Sequence, residues 1–169
     1  KRLFLNVLAA VDGQGDACHL DSDGQYKLHV GNNTLIDFGF TGVVYDRQVK
    51  KYVRRFFPSV YSWVKSENTL AFSATTAIMK RLAKVFFDID LIVKYTCLDK
   101  CSAIHAGITE TYPESTKLLC YPHVCRLVHD KLKILAKKVN RTQIYEEFQA
   151  MHHATSLSKF KLISSHCVA

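Results

Sequence analysis

The sequence predicts a mixed α/β domain: a five-stranded sheet with both strand directions, helices flanking it, and a helical extension at the end. Three observations carry that expectation. Strand-like runs crowd the first third of the chain, with a strong Gly31-Asn-Asn33 turn signal between the first two, so these strands read as antiparallel. A helix, a strand, a helix and a strand then alternate, the pattern of a sheet continued through helical crossovers. From His123 onward the apolar residues fall only at helical spacing. At 169 residues and 48% hydrophobic, the chain fits one domain around one core.

Taken in order, residues 3–11 are apolar and break at Asp12-Gly-Gln-Gly15; their pattern fits a helix or a strand equally. No Lys-Ser/Thr pair follows Gly13 and Gly15, so the stretch is a turn and not a phosphate loop. Residues 17–24 lead into 25–30 as one strand with a bend at Gly24, and residues 34–40 alternate as the second. Residues 41–57 are ambiguous; residues 58–64 read as the third strand. Asn68 is a helix N-cap. In the helix that follows, Leu70, Ala74, Ala77, Ile78, Leu82, Val85 and Phe86 are expected on the buried face, with Ser73, Lys80 and Lys84 away from it. Residues 91–98 are apolar and β-branched, a buried strand ending in the carboxylate of Asp99. Residues 101–111 are helical and closed by Tyr112-Pro113. Residues 117–120 form a second apolar strand, ending in Cys120-Tyr-Pro-His123. Three helical segments complete the chain, broken at Asn140-Arg-Thr142 and before Leu157. No repeat, low-complexity segment or linker interrupts this order.

The formal net charge is +8, which favours polyanions, nucleic acid first and an acidic membrane surface second. Basic residues cluster twice: Arg47, Lys50, Lys51, Arg54 and Arg55 with no acid between them, and Arg126, Lys131, Lys133, Lys137, Lys138 and Arg141. Either set suits phosphates, and a solvated helix face accounts equally well for the second. Several of the six cysteines lie inside apolar runs, where a thiol behaves as a small hydrophobe, so a reduced intracellular protein is expected. No segment looks like a signal peptide, and the apolar run within residues 1–16 is too short to span a bilayer. A chain beginning with Lys1 reads as a fragment or a processed product.

Open α/β sheets place their chemistry beyond the carboxyl ends of their strands. Here two consecutive strands deliver an acid, Asp99, and a Cys/His pair, Cys120 and His123, to such an edge. These residues also carry a resemblance to Mutator-like element (MULE) transposases. Asp99, a helix closed by an aromatic-Pro step, and Leu118-Leu-Cys-Tyr-Pro-His-Val124 are similar to that family's strand-Asp, helix, Phe/Tyr-Pro, strand, Cys-x-x-His-Val pattern. Asp23-Gly-Gln-Tyr-Lys-Leu28 resembles its first acidic block, Asp-small-Thr-Tyr/Phe-Lys-Leu, with Gln25 in place of Thr. Ser66-Glu67 and the stretch from Tyr145 to Thr155 extend the similarity, which spans roughly residues 17–165. The blocks are specific together and weak singly.

The resemblance implies an RNase H-like fold, DDE-type DNA strand cleavage and transfer, a DNA partner with self-association left open, no membrane, and a nuclear location. It implies one RNase H-like domain over residues 1–169, with 17–125 as core and 126–169 as the start of a helical insertion. It also assigns Asp23 and Asp99 as catalytic, metal-binding acids for Mg2+ or Mn2+. Two-metal phosphodiester chemistry needs carboxylates that hold hard cations about 4 Å apart. Asp21 shares a strand face with Asp23 by period two and is its rival, but the register with Tyr26-Lys27 favours Asp23. For Asp99 alone, capping the next helix is an equally good reading. The family's third acid follows a helical insertion; Asp130, Glu146 and Glu147 are the acids at hand there and read as exposed helix charge, so whether this chain cleaves alone stays open. The competing class is a non-enzymatic DNA-binding or interaction module on the same fold. Zinc on Cys120, His123 and Cys125, with Cys97 or Cys101 as fourth ligand, is disfavoured because zinc modules pair two knuckles and only one is present. Cys120 lacks the setting of a nucleophile.

Overall fold

The computed structural model describes residues 3–15, 18–25, 33–135 and 140–167, and for residues 23–25 the backbone alone. The elements run α1 (Leu5–Gln14), β1 (His19–Gln25), β2 (Thr34–Asp46), β3 (Lys51–Val64), α2 (Thr69–Phe87), β4 (Tyr95–Leu98), α3 (Ser102–Thr111), β5 (Thr116–Leu119), α4 (Tyr121–Ile134), α5 (Arg141–His152) and α6 (Leu157–Cys167). The five strands form one mixed sheet in the order β3-β2-β1-β4-β5. The pairs β1–β2 and β2–β3 are antiparallel; β1–β4 and β4–β5 are parallel. The chain divides into two compact units, Lys1–Cys120, which holds the whole sheet, and Tyr121–Ala169, which holds α4 to α6.

The ambiguous stretch 41–57 is the far half of a long hairpin. Asp46 turns it: its Oδ1 accepts the N–H groups of Gln48 and Val49 at 2.9 and 3.4 Å, an Asx turn, and Lys50 takes a positive φ of 51°. A bulge opposite Phe38/Gly39 inserts Ser59, because Phe38 pairs Val60 while Gly39 pairs Pro58. A Cβ on Gly39 would sit 2.3 Å from the Phe57 carbonyl oxygen, so only glycine allows β3 this close. Residues 5–14 resolve as helix, ending at Gly15 with φ 52°.

Two expectations need correction. β1 passes through Gly24 with its ladder intact, Gly24 opposite Ile36, so there is no bend there; residues 26–32, with the Gly31-Asn32 part of the expected turn, lie outside the described residues. The strand expected over 91–98 is only Tyr95–Leu98. Its ladder begins where His19 meets Tyr95, and residues 91–94 have no β1 residue to pair, although Leu91 and Val93 are buried. β5 is the edge strand and leaves Leu118 and Leu119 exposed.

The largest correction concerns α2. Asn68 caps it as expected, its side chain accepting the Ala71 N–H at 2.9 Å. Yet the buried face is Phe72, Ser73, Thr75, Thr76, Met79 and Ala83, while Leu70, Ile78, Val85 and Phe86 are exposed. Hydroxyls made this possible. Ser73, Thr75 and Thr76 donate to the Leu70, Ala71 and Phe72 carbonyls, and Thr76 also meets Thr111 at 2.8 Å. Their polar atoms are satisfied within the helix pair, so they bury at little cost. Counting apolar residues alone picks the wrong side.

Strand alternation separates two sheet faces. Leu20, Ile36, Phe38, Phe40 and Leu98 point to one face and form the core with Phe4, Val7 and Ala10 of α1, Phe72, Met79 and Ala83 of α2, and Ile104 and Ile108 of α3. All three helices of the first unit thus cover this face. The opposite face carries His19, Asp21, Asp37, Thr41, Tyr45, Tyr52, Tyr61, Trp63 and Cys97.

Candidate active site

His19 and Asp21 alternate along β1 and therefore share the face opposite α1, α2 and α3, and Asp23 follows at the next alternate position of the strand. Asp21 lies opposite Gly39 on β2 and opposite Cys97 on β4. Asp23 lies opposite Asp37. Asp99 stands two residues beyond Cys97, as Asp23 stands two beyond Asp21, and β1 and β4 are parallel neighbours. Both acids therefore belong to the same end of adjacent central strands. Asp23 is inside β1, which continues to Gln25, rather than at its tip; its side chain lies outside the described residues.

Asp99 follows β4 directly and is half-buried. It does not cap α3: Cys101 holds the N-cap position and makes no side-chain cap bond. The Asp99 carboxylate instead accepts the Lys100 N–H at 2.6 Å, and its backbone carbonyl lies 2.9 Å from His105 Nε2 on α3, which anchors the loop.

Asp37 is an acid the sequence reading passed over. It is 4% exposed, on the face opposite α1, α2 and α3, and directly opposite Asp23. The alternation of 34–40 held the signal, since Ile36, Phe38 and Phe40 face the core and Asp37 must face the other way. His19 and Asp21 were also undervalued. Their side chains approach to 3.5 Å between His19 Nε2 and Asp21 Oδ1, and Thr41 Oγ1 donates to Asp21 Oδ2. His19, Asp21 and Cys97 each offer a ligand atom within 4.8 Å of the others.

The Cys97 thiol is hydrogen-bonded to Cys120, and its pKa is pushed up to about 12 by burial, by Cys120 and by Asp21. A thiol held protonated in this way is no nucleophile in the free chain. Cys120 ends the first compact unit, its N–H donating to the Leu98 carbonyl at 2.8 Å. His123 belongs to the second unit, on the first turn of α4. Within that unit the Cys125 thiol lies beside the phenols of Tyr121 and Tyr145 and raises the pKa of both.

The first basic cluster sits at the free end of the β2–β3 hairpin, in its tip and the start of β3. Arg47, Lys50, Lys51, Arg54 and Arg55 are all exposed. Arg55 is occupied by Asp46 at 2.6 Å; among the described residues the other four have no ion pair. Tyr45 and Tyr52 stand edge to face between them, with ring centroids 5.3 Å apart. In the second cluster Lys133 is paired with Asp130 at 2.8 Å, and Lys137 and Lys138 lie outside the described residues. Of the other acids of the second unit, Glu147 accepts from Gln143 at 2.9 Å and holds Cys167. Among the described residues no helix is long and apolar enough to cross a membrane. No family model matches the chain, and neither does any curated protein.

Proposed function

We propose that this chain is the RNase H-like catalytic domain of a Mutator-like DNA transposase, with Asp23 and Asp99 as its first two metal-binding acids. One observation carries the reading: β1 and β4 are adjacent, parallel and central, so Asp23 and Asp99 belong to the same sheet edge. The strand order β3-β2-β1-β4-β5, with a helix after β3, after β4 and after β5, agrees with an RNase H-like sheet. The donor set also suits a hard cation. Carboxylates dominate this end of the face, and Asp37 adds a third beside Asp23. Mg2+ or Mn2+, when bound, would supply charge at the scissile phosphate and lower the pKa of attacking water. The protein's own part is to fix the acids: the strand ladder sets the spacing of Asp23 from Asp37, and His105 fixes the backbone at Asp99. The four uncompensated cations of the hairpin would hold the DNA backbone.

A second reading, a DNA-binding module without cleavage, is favoured by one specific feature. Asp130 and Glu147 of the helical unit are engaged in local pairs, which leaves neither as an evident third acid. Calorimetric titration with Mn2+ and a plasmid-nicking assay on the same samples test both readings. Weak binding with nicking, both lost in Asp23→Asn and Asp99→Asn, is the expected result. Binding unchanged in both variants would place the metal elsewhere and overturn the site. Duplex binding without metal uptake or nicking would favour the module.

A further inference from the structure

The sheet face opposite α1, α2 and α3 carries a second donor cluster whose chemistry differs from that of the acids. We propose that His19, Asp21 and Cys97 form a binding site for a thiophilic divalent cation, zinc by preference, with water completing the coordination. The site is independent of the Asp23/Asp99 reading. It lies two residues earlier on each strand, and its donors are an imidazole, a carboxylate and a thiol. Such a set selects zinc or cobalt over magnesium, because magnesium takes oxygen ligands.

The geometry is close to what a tetrahedral ion needs. Ligand bonds of roughly 2.0–2.3 Å place neighbouring ligand atoms about 3.3–3.8 Å apart. His19 Nε2 and Asp21 Oδ1 are already 3.5 Å apart, and the three donors fall within 4.8 Å of one another. The Cys120 thiol lies beside Cys97 but outside this group of three, so the fourth position falls to water. His19 Nε2 is buried and makes no hydrogen bond, which leaves its ring nitrogen aimed at the cluster with only the longer Asp21 contact.

The supports of these donors are also in place. Thr41 Oγ1 holds the second oxygen of Asp21 and so orients the first. The Gln14 side chain clamps both strands behind the site: its Oε1 accepts the His19 N–H at 2.8 Å, and its Nε2 donates to the Thr41 carbonyl at 3.1 Å. Partners of this kind fix ligand orientation in metal centres, and they are present here before any ion binds. Binding would replace the Cys97 proton with the metal, the proton leaving to solvent, and would tie β1 to β4.

The test uses the whole chain, stripped with a chelator and titrated with Co2+. A thiolate-to-cobalt charge-transfer band should appear, and one equivalent of Zn2+ should abolish it. The band should vanish in Cys97→Ser and weaken at least tenfold in apparent affinity in His19→Ala, while Asp99→Asn keeps it. No band in the unaltered chain, or an undiminished band in Cys97→Ser, would overturn the site. Should Cys97→Ser fail to fold, the unaltered chain decides. Alkylation of Cys97, mapped by mass spectrometry, should slow at least tenfold with Zn2+ and not with Mg2+. Equal labelling under both conditions would refute the proposal. Loss of Mn2+ binding in Asp99→Asn with the cobalt band retained keeps this test separate from that of the acids.

Discussion

Gly107 lets α3 lie against α2 at backbone distance. A Cβ there would stand 2.7 Å from the Phe72 Cβ and 2.8 Å from the Thr69 carbonyl oxygen, neither of which can swing aside. Gly107→Ala should therefore destabilise the protein by about 1–3 kcal/mol, although alanine is the better helix former; urea unfolding would measure it. Cys18 gives a residue-scale test of burial. It is fully buried, and burial raises its thiol pKa from 9.0 to about 11. The folded state thus holds the proton more tightly than the unfolded chain. Its contribution is intact below pH 9 and is lost as pH rises toward 11, by up to about 1.4 kcal/mol per pH unit. Unfolding curves from pH 8 to 10.5 should show a shallower decline in Cys18→Ala than in the unaltered chain. A parallel decline in both would mean that other groups dominate.

At the scale of elements, α2 shows how hydroxyls redirect a helix. Thr76 is fully buried and bonds to the Phe72 carbonyl and to Thr111, whereas Leu70 and Val85 face outward. Thr76→Val should cost about 1–3 kcal/mol, because it leaves the Thr111 hydroxyl without that partner in the interface. Leu70→Lys and Val85→Lys should stay within about 0.5 kcal/mol of the parent. Thermal melts of the three variants check the ordering; the apolar pattern of the sequence alone predicts the reverse. The β2–β3 hairpin shows the opposite relation between sequence and structure. Its tip was unreadable as strand, yet the Asp46 turn that makes it is a short local motif. The basic run that follows Asp46 breaks the apolar alternation by which a strand is read.

For the whole molecule, the charge of +8 and the uncompensated cations of the hairpin converge on phosphate binding. Under the proposed function, duplex affinity should fall steeply with salt and show little sequence preference. Replacing Arg47, Lys50, Lys51 and Arg54 by Ala should reduce the salt slope by up to about 3–4, since each phosphate contact contributes about 0.9. Arg55→Ala should change it less, because Asp46 already engages that guanidinium. Fluorescence anisotropy at several salt concentrations separates these outcomes. A variant slope equal to that of the parent would remove the hairpin from the interface.

The sequence by itself determined the order of the strands and the helices after them, the Asn68 cap, and the Tyr112 end of α3. These rest on local backbone preferences and on short-range patterns that neighbouring residues carry. It also marked Asp23 and Asp99 as the residues to watch, through the motifs around them. Only the tertiary structure decided which face of α2 is buried, where β4 begins, and that His19, Asp21, Asp37 and Cys97 share one sheet face. Each of those outcomes depends on strand register and on pairing between distant segments. A single-residue shift in register sends every side chain of a strand to the other face, so no stretch of sequence read alone could have fixed them.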